Sequence, residues 1–523
     1  MTLHTGNLLT MATVLKRAHA LFGDRTAILD REGNLTWAEY VDRITRAGGV
    51  LAELGVGRGE RFGLLSHNSF RMAELINAGY WSGVVPVPIN YRLAPPEIRY
   101  ILENADCRIL AVDSHCAAML EHPDLEPWRE RTLYIDAPPG APKSRPQYDQ
   151  LLAQAAPAPM HASGQEDDAI LIYTGGTTGR SKGVQLTHGN LVSNGVQVAL
   201  AYRLYEDDRF LHSLPMFHSA DLIGTGITLV GGAHAYLGQF TPTAMLQMIQ
   251  DHAITLLSLG PTVIIMTLQD PGFDNYDISS VRRMNYGSAP LDAEWIKRTM
   301  EKFPNVALQQ TYGLTETSPI LTSLTPEQHQ VALSSGRLEL LRSVGKPLVH
   351  VELRIVDEDD NELPAGEVGE VLVRGPNVMR GYLGLEEENA RALRGGWFHT
   401  GDMGRVDEHC NLFLVDRKKD MIITGGENVY CAEVEAALYK YSGVSEAAVF
   451  GIPDRKWGEA VCAAIVPAAG QTLDKDAIIA HCRGHIGGYK IPRRMVFVEA
   501  LPKSAMGKIL KHELRRRYSE GNP

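Results

Sequence analysis

The stretch Tyr173-Thr174-Gly175-Gly176-Thr177-Thr178-Gly179-Arg180-Ser181-Lys182-Gly183 gathers four glycines, three threonines and a lysine. Glycines let backbone N–H groups converge on an anion, hydroxyls add donors, and the lysine supplies charge. The apolar run 169–173 ahead of it reads as a strand. The chemistry this composition supports is the holding of a polyphosphate; a flexible Gly/Ser/Thr turn is the plainer alternative. The spacing is not that of a Walker loop, which needs Gly-Lys-Ser/Thr together. Four later segments also combine charge, aromatic rings and glycine: Tyr312-Gly313-Leu314-Thr315-Glu316, Gly396-Trp397-Phe398-His399-Thr400-Gly401-Asp402, Asp416-Arg417-Lys418-Lys419-Asp420 with Gly425-Gly426-Glu427-Asn428, and Pro502-Lys503-Ser504-Ala505-Met506-Gly507-Lys508.

Taken in order, these segments resemble the motifs of the adenylate-forming superfamily: acyl-CoA synthetases, amino-acid adenylation domains and beetle luciferases. The family's loop reads Y-T-S-G-T-T-G-x-P-K-G, and here Gly175 replaces the serine and Ser181 the proline. The others resemble Y-G-x-T-E, W-x-x-T-G-D, D-R-x-K-D…G-G-E-N and P-K-T-x-x-G-K. One such match is weak evidence; five in the correct order over residues 173–508 are specific. The look is that of fatty-acid or aryl-acid CoA ligases.

The resemblance implies a two-step reaction. A carboxylate attacks the α-phosphate of ATP and expels pyrophosphate; the acyl-adenylate then passes its acyl group to CoA, leaving AMP. Both first reactants are anions, so cations and donors are needed where charge builds up. By resemblance, Thr174, Gly176, Thr177, Thr178, Gly179 and Lys182 surround the phosphates, and Glu316 holds Mg²⁺, a role suited to a hard carboxylate oxygen. Tyr312 stacks on adenine, with Thr311, Gly313 and Thr315 beside it and Gly287, Ser288 and Ala289 on the other side of the base. Asp402 accepts from the ribose hydroxyls, and Arg417 holds the ribose or phosphate side. Lys508 carries the first half-reaction, stabilising charge on the five-coordinate phosphorus and orienting the attack. Lys419 is the hinge of a rotating small domain, and Gly425 and Gly426 line the pantetheine path. Cys431 stands where proline is common.

His218, in Pro215-Met216-Phe217-His218, occupies the place where amino-acid-activating relatives usually show aspartate. This favours a simple carboxylic acid, fatty or aromatic, a fatty acid being preferred from the general look of the chain and not from any one residue, with His218 as a gate; a buried structural histidine is the bland alternative. Asp221 either meets a polar group of the acid or serves a surface or capping role. The expected acceptor is diffusible CoA, the alternative being a carrier protein. A nucleotide-binding regulator without catalysis is the reading from another class, and Lys508, Glu316 and Asp402 speak against it. There is no G-x-S-x-G elbow and no H-E-x-x-H. Arg515, Arg516 and Arg517 read as solvated charge.

The elements that must position these residues follow from pattern and composition. The 523 residues exceed one domain, and 44% hydrophobic with 22% charged is ordinary for a globular chain. Lys plus Arg is 51 and Asp plus Glu 62, a net charge of −11. That balance argues against nucleic acid or anionic membrane as the main partner. Six scattered cysteines form no CxxC pair, pointing to free thiols in a reducing cytoplasm. The N-terminus reads as an amphipathic helix rather than a signal peptide, and the apolar stretch 222–237 carries too many glycines for a membrane span. Helical periodicity over 37–54, 71–81 and 95–104 alternates with short apolar runs at 62–65, 84–89 and 108–112. This pattern means crossover units on a parallel sheet. Residues 137–166 read as a linker without a core pattern. The expectation is an α/β chain: a large N-terminal domain, 1–416, of parallel α/β subdomains plus a β-rich subdomain, and a small mobile α+β C-terminal domain, 417–523. A homodimer is compatible with it.

Overall fold

Helix starts are set by short polar side chains. Thr36 accepts the Glu39 N–H at 3.2 Å, while the Glu39 carboxylate accepts the Thr36 N–H at 2.8 Å, opening the helix Trp37–Glu53. The same reciprocal cap opens His188–Ala201 through Thr187 and Asn190, and each such cap contributes about 1 kcal/mol. The computed structural model describes residues 9–136, 147–174, 181–289, 291–418, 420–425, 427–503 and 509–519. They divide into two compact units, 1–353 with 373–398, and 354–372 with 399–523.

In the first unit the short strands β1 (Thr26–Leu29) and β2 (Leu35–Thr36) join a large sheet completed later in the chain. Strands β3 (Arg61–Leu65), β4 (Val85–Pro88), β5 (Cys107–Val112) and β6 (Thr132–Tyr134) form a four-stranded parallel sheet in the order β4-β3-β5-β6. The helices Phe70–Ser82 and Pro95–Asn104 are its crossovers, as the periodicity predicts. Strands β7 (Asp168–Thr174) and β8 (Lys182–Thr187) pair antiparallel, so the glycine-rich segment connects a hairpin.

Strands β9 (Arg209–His212), β10 (Ala233–Tyr236), β11 (Leu256–Leu259), β12 (Arg283–Gly287) and β13 (Ala307–Tyr312) run parallel, and β14 (Thr322–Leu324) and β15 (Lys346–Pro347) extend the sheet antiparallel. With β1 and β2 they make nine strands in the order β15-β14-β13-β12-β11-β9-β10-β1-β2. Leu211, Leu257, Met284 and Leu308 stack across its middle, fully or almost fully buried. Burying each such side chain stabilises by roughly 1.5–3 kcal/mol.

The second unit is built on β16 (Glu352–Val356), β17 (Gly369–Arg374), β19 (Phe398–Val406) and β20 (Leu412–Arg417), while β18 (Gly381–Tyr382) pairs with β8 in the first. A second sheet in this unit comprises β21 (Ile422–Thr424), β22 (Glu427–Val429), β23 (Val444–Asp454), β24 (Gly458–Pro467) and β25 (Arg494–Phe497). The parallel α/β character of the first unit and the antiparallel β-rich and mixed character of the second agree with the α/β class expected.

The span read as a featureless linker is corrected in part. Residues 137–146 lie outside the described residues, but Tyr148–Gln154 is a helix whose Tyr148 is fully buried with its hydroxyl beside Glu74. One aromatic and one leucine, Tyr148 and Leu152, suffice to dock a short helix, too few for a periodic signal.

Candidate active site

The β7–β8 hairpin brings Thr174 and Lys182 opposite each other in register. Residues 175–180 between them, including Gly176, Thr177, Thr178 and Gly179, lie outside the described residues. The Lys182 ammonium is paired with Glu388 and sits 4.9 Å from the centroid of the Tyr382 ring. The Tyr382 hydroxyl donates to Glu316 Oε1 at 2.9 Å. The Glu316 carbonyl accepts the Met379 N–H at 2.8 Å, which fixes the backbone beneath the carboxylate. One tyrosine thus touches both the hairpin's cation and the carboxylate 134 positions further on (182 to 316). The half-buried Glu316 carboxylate is a hard oxygen donor that fits Mg²⁺, and the Lys182 ammonium, linked to it through Tyr382, suits phosphate.

The segment 311–317 leaves β13 through a tight turn. A Cβ on Gly313 would lie 2.0 Å from the Pro319 carbonyl, so only glycine lets these backbones approach. Thr311 is buried and donates to Asn285 at 3.0 Å, tying β13 to β12. Tyr312 is 9% exposed. Ser288 and Ala289, just past the end of β12, are exposed, and Ser288 adopts φ +67°. Thr315 meets Ser219 at 2.9 Å, hydroxyl to hydroxyl, which draws the loop after β9 onto this segment. His218 caps the short helix Ser219–Ile223, its Nδ1 accepting the Ala220 N–H at 3.2 Å. The first unit therefore holds Thr174, Tyr312, Thr315, Glu316 and His218 at or past the carboxyl ends of β7, β13 and β9, where open α/β sheets bind ligands, with Lys182 opposite Thr174 at the start of β8.

In the second unit Asp402 and Arg417 face each other across β19 and β20. Arg417 Nε donates to Asp402 Oδ1 at 2.7 Å, and the carboxylate is only 7% exposed against 44% for the arginine. Lys418 pairs with Glu370 at 2.8 Å. Gly425 donates its N–H to the Trp457 carbonyl at 2.7 Å. Lys419, Gly426 and Lys508 lie outside the described residues.

Residues 15–383 match the model of the AMP-binding enzyme family, and residues 433–508 match that of the AMP-binding enzyme C-terminal domain. The chain belongs to the AMP-binding enzyme family. Among relatives of this AMP-binding enzyme, a feruloyl-CoA synthase of an Amycolatopsis species is 37% identical over 495 residues, covering 94% of this chain and 96% of the other. An indoleacetate–CoA ligase of Aromatoleum aromaticum is 35% identical over 497 residues, covering 94% and 95%. The crystal structure of ATP-bound MatB from Rhodopseudomonas palustris is similar with a TM-score of 0.86 and 30% identity, over 97% of this chain and 99% of that one.

Two residues that meet Lys182 in this AMP-binding enzyme escape a reading of motifs. Tyr382 and Glu388 lie about two hundred positions from Lys182, and only the pairing of β18 with β8 brings them back to it. The expectation that Arg515 is solvated is corrected: it is 28% exposed and pairs with Asp420 at 3.2 Å, whereas Arg516 and Arg517 are exposed. Its neighbour Lys511 is drawn inward too, pairing with Glu435 at 2.8 Å. Burial opposes the Lys511 charge, but the surrounding carboxylates outweigh it and raise its pKa. Cys431, buried at the start of Cys431–Tyr439, donates its thiol to the Asp420 carbonyl at 2.9 Å. Among the described residues no helix is long and apolar enough to cross a membrane.

Proposed function

We propose that this AMP-binding enzyme is an acyl-CoA ligase: it joins a carboxylic acid to AMP with loss of pyrophosphate, then transfers the acyl group to CoA. The observation that carries this reading is the Lys182–Tyr382–Glu316 arrangement, set within a chain that matches both parts of the family over most of its length. Thr174 and Lys182, with Gly176, Thr177, Thr178 and Gly179 of the loop, bind the phosphates. Glu316 would hold Mg²⁺, which when bound neutralises charge between phosphate oxygens. Tyr312 with Gly287, Ser288 and Ala289 receives the base, and Asp402 and Arg417 the ribose. Asp402 suits that task because its carboxylate is oriented by Arg417 and largely shielded from water.

Lys508 acts on the α-phosphate and the attacking carboxylate. Lys419 is the pivot between a domain ending at 416 and the one that follows, and Gly425 and Gly426 admit the pantetheine arm. His218 gates the acid. The feruloyl- and indoleacetate-activating relatives favour an aromatic acid as substrate.

The test is release of AMP and pyrophosphate with ATP, Mg²⁺ and a panel of fatty and aromatic acids, with and without CoA. CoA-dependent AMP release on one acid class is expected. Pyrophosphate exchange without thioester would point to a carrier protein as acceptor. Lys508→Ala should lower adenylation on the order of 10²–10³-fold or more while ATP still binds; a variant as active as the parent would sink the assignment.

A further inference from the structure

The loop that carries His218 also carries Asp221, a half-buried carboxylate that no lysine or arginine pairs with among the described residues. Asp221 Oδ1 lies 2.6 Å from His212 Nδ1, His212 Nε2 lies 2.9 Å from His234 Nδ1, and His234 Nε2 lies 3.1 Å from the Thr228 hydroxyl. The Thr228 hydroxyl also donates to the Gly224 carbonyl at 3.4 Å. Burial, together with the neighbouring His212, holds the pKa of His234 down. The two rings tie Asp221 to β9 and β10.

This chain serves Asp221 at one oxygen only. Among the described residues, no donor reaches its second oxygen and no lysine or arginine pairs with it. The side chain is 12% exposed, against 5% for His212. The second oxygen of Asp221 is not sealed in the core and is open to a donor from outside. Its place in the fold says where that donor comes from. Asp221 is three residues beyond His218, on the helix whose Ser219 meets Thr315. It stands over the carboxyl ends of β9 and β10, and β9 is the strand at which the sheet order reverses, with β10 on one side and β11 on the other. Ligands of open α/β sheets enter at that reversal. Gly224, one turn on, completes the arrangement: a Cβ there would lie 2.7 Å from His212 Cε1, so glycine leaves the imidazole its position behind the aspartate.

We propose that Asp221, backed by His212 and His234, is a specificity-determining residue that accepts a hydrogen bond from a hydroxyl or N–H group on the part of the acid remote from its carboxylate. This rests on the ligase reading and names its substrate class: carboxylic acids with a distal hydrogen-bond donor, in preference to plain hydrocarbon acids.

The test compares paired acids that differ by one hydroxyl: cinnamic with 4-hydroxycinnamic acid, and straight-chain acids of four to ten carbons with their ω-hydroxy forms. AMP formation with ATP, Mg²⁺ and CoA is read as kcat/KM. At least one pair should show a preference of about tenfold or more for the hydroxylated member, since a site built around a hydroxyl rejects the analogue that lacks it. Asp221→Asn, which keeps the shape and turns the facing oxygen into a donor, should collapse that ratio toward one; the melting temperature of the variant confirms that it is folded. Turnover of every pair within twofold overturns this inference while leaving the ligase intact. A parent preference that survives Asp221→Asn overturns the role of Asp221. No AMP from any acid overturns the ligase reading and this one with it.

Discussion

Two sheets of the first unit reverse their strand order, the four-stranded one at β3 and the nine-stranded one at β9, and both place a histidine–aspartate pair at the carboxyl ends there. In the four-stranded sheet His67 follows β3 and Asp113 follows β5, with 2.9 Å between Nδ1 and Oδ2. Here the aspartate is used up locally. It accepts the His67 backbone N–H at 2.7 Å and the Cys116 N–H at 2.8 Å as well as the ring. Burial alone would raise its pKa, but these bonds outweigh it and hold the carboxyl down at about 2. In the nine-stranded sheet the Asp221 carboxylate meets a ring and, among the described residues, nothing else. The same pair of residue types is thus a loop clamp in one sheet and an acceptor in the other; what separates them is how many backbone donors the loop itself supplies.

Acid should pull the two sheets apart first, and by the largest amount. His329, whose ring meets the Tyr286 hydroxyl of β12, is depressed to about 4 by burial, and burial beside His212 holds His234 of β10 down as well. Between pH 6.5 and 4 the unfolded chain protonates these rings and the folded chain does not. Stability is therefore full above 6.5 and lost as pH falls, by up to about 3 kcal/mol for His329. Asp113 acts in the same direction but lower on the scale: its stabilisation, roughly 2 kcal/mol, is present above pH 4 and fades toward pH 2. Hydrogen exchange at pH 7 and pH 5, corrected for intrinsic rates, should show β10 and β12 losing protection while β3 and β5 keep theirs. Equal loss in both sheets would break the distinction.

Asp113→Ala comes next. It strips a half-buried ring and two backbone N–H groups of their acceptor and should cost about 2 kcal/mol in urea unfolding, with the ratio of hydroxylated to plain acid turnover unmoved. A shift in that ratio would mean that the first sheet also faces the acid.

How much of this was legible in the residues depends on distance along the chain. The helices Trp37–Glu53, Phe70–Ser82 and Pro95–Asn104 could be read because their apolar period and their caps lie within one segment. The five motifs could be read because each is local and their order is itself information. His212 and His234 could not. Each stands alone in a short apolar strand, and only the parallel register of β9 with β10 brings their rings to 2.9 Å. Tyr382 was hidden for the same reason, since β18 returns to β8 from about two hundred residues away. The helix Tyr148–Gln154 was hidden by being short rather than remote.

Gly224→Ala sharpens the comparison at lower cost. The added methyl gains up to about 1 kcal/mol of helix propensity and spends it against the His212 ring, leaving a net change under about 1 kcal/mol. If the imidazole is displaced from Asp221, the preference for hydroxylated acids should drop even though the melting temperature barely moves.

The smallest effect concerns Cys116, whose sulfur lies 4.0 Å from His67 Nδ1, so that His67, Asp113 and Cys116 superficially compose a thiol–imidazole–carboxylate set or a metal site. The geometry argues for neither. The one ring nitrogen near the sulfur is already committed to Asp113, so it cannot take the thiol proton. Burial, reinforced by the adjacent Asp113 and Asp136 charges, pushes the thiol pKa far up and disfavours the thiolate that both nucleophile and ligand require. Native labelling with a maleimide at pH 7 should therefore modify the exposed Cys410 rapidly and leave Cys116 untouched. Cys116→Ser should alter turnover by less than twofold. Rapid modification of Cys116, or its protection by added Zn²⁺, would show that the clamp in the four-stranded sheet has a chemistry of its own and would bring the two histidine–aspartate pairs closer in kind than their donors imply.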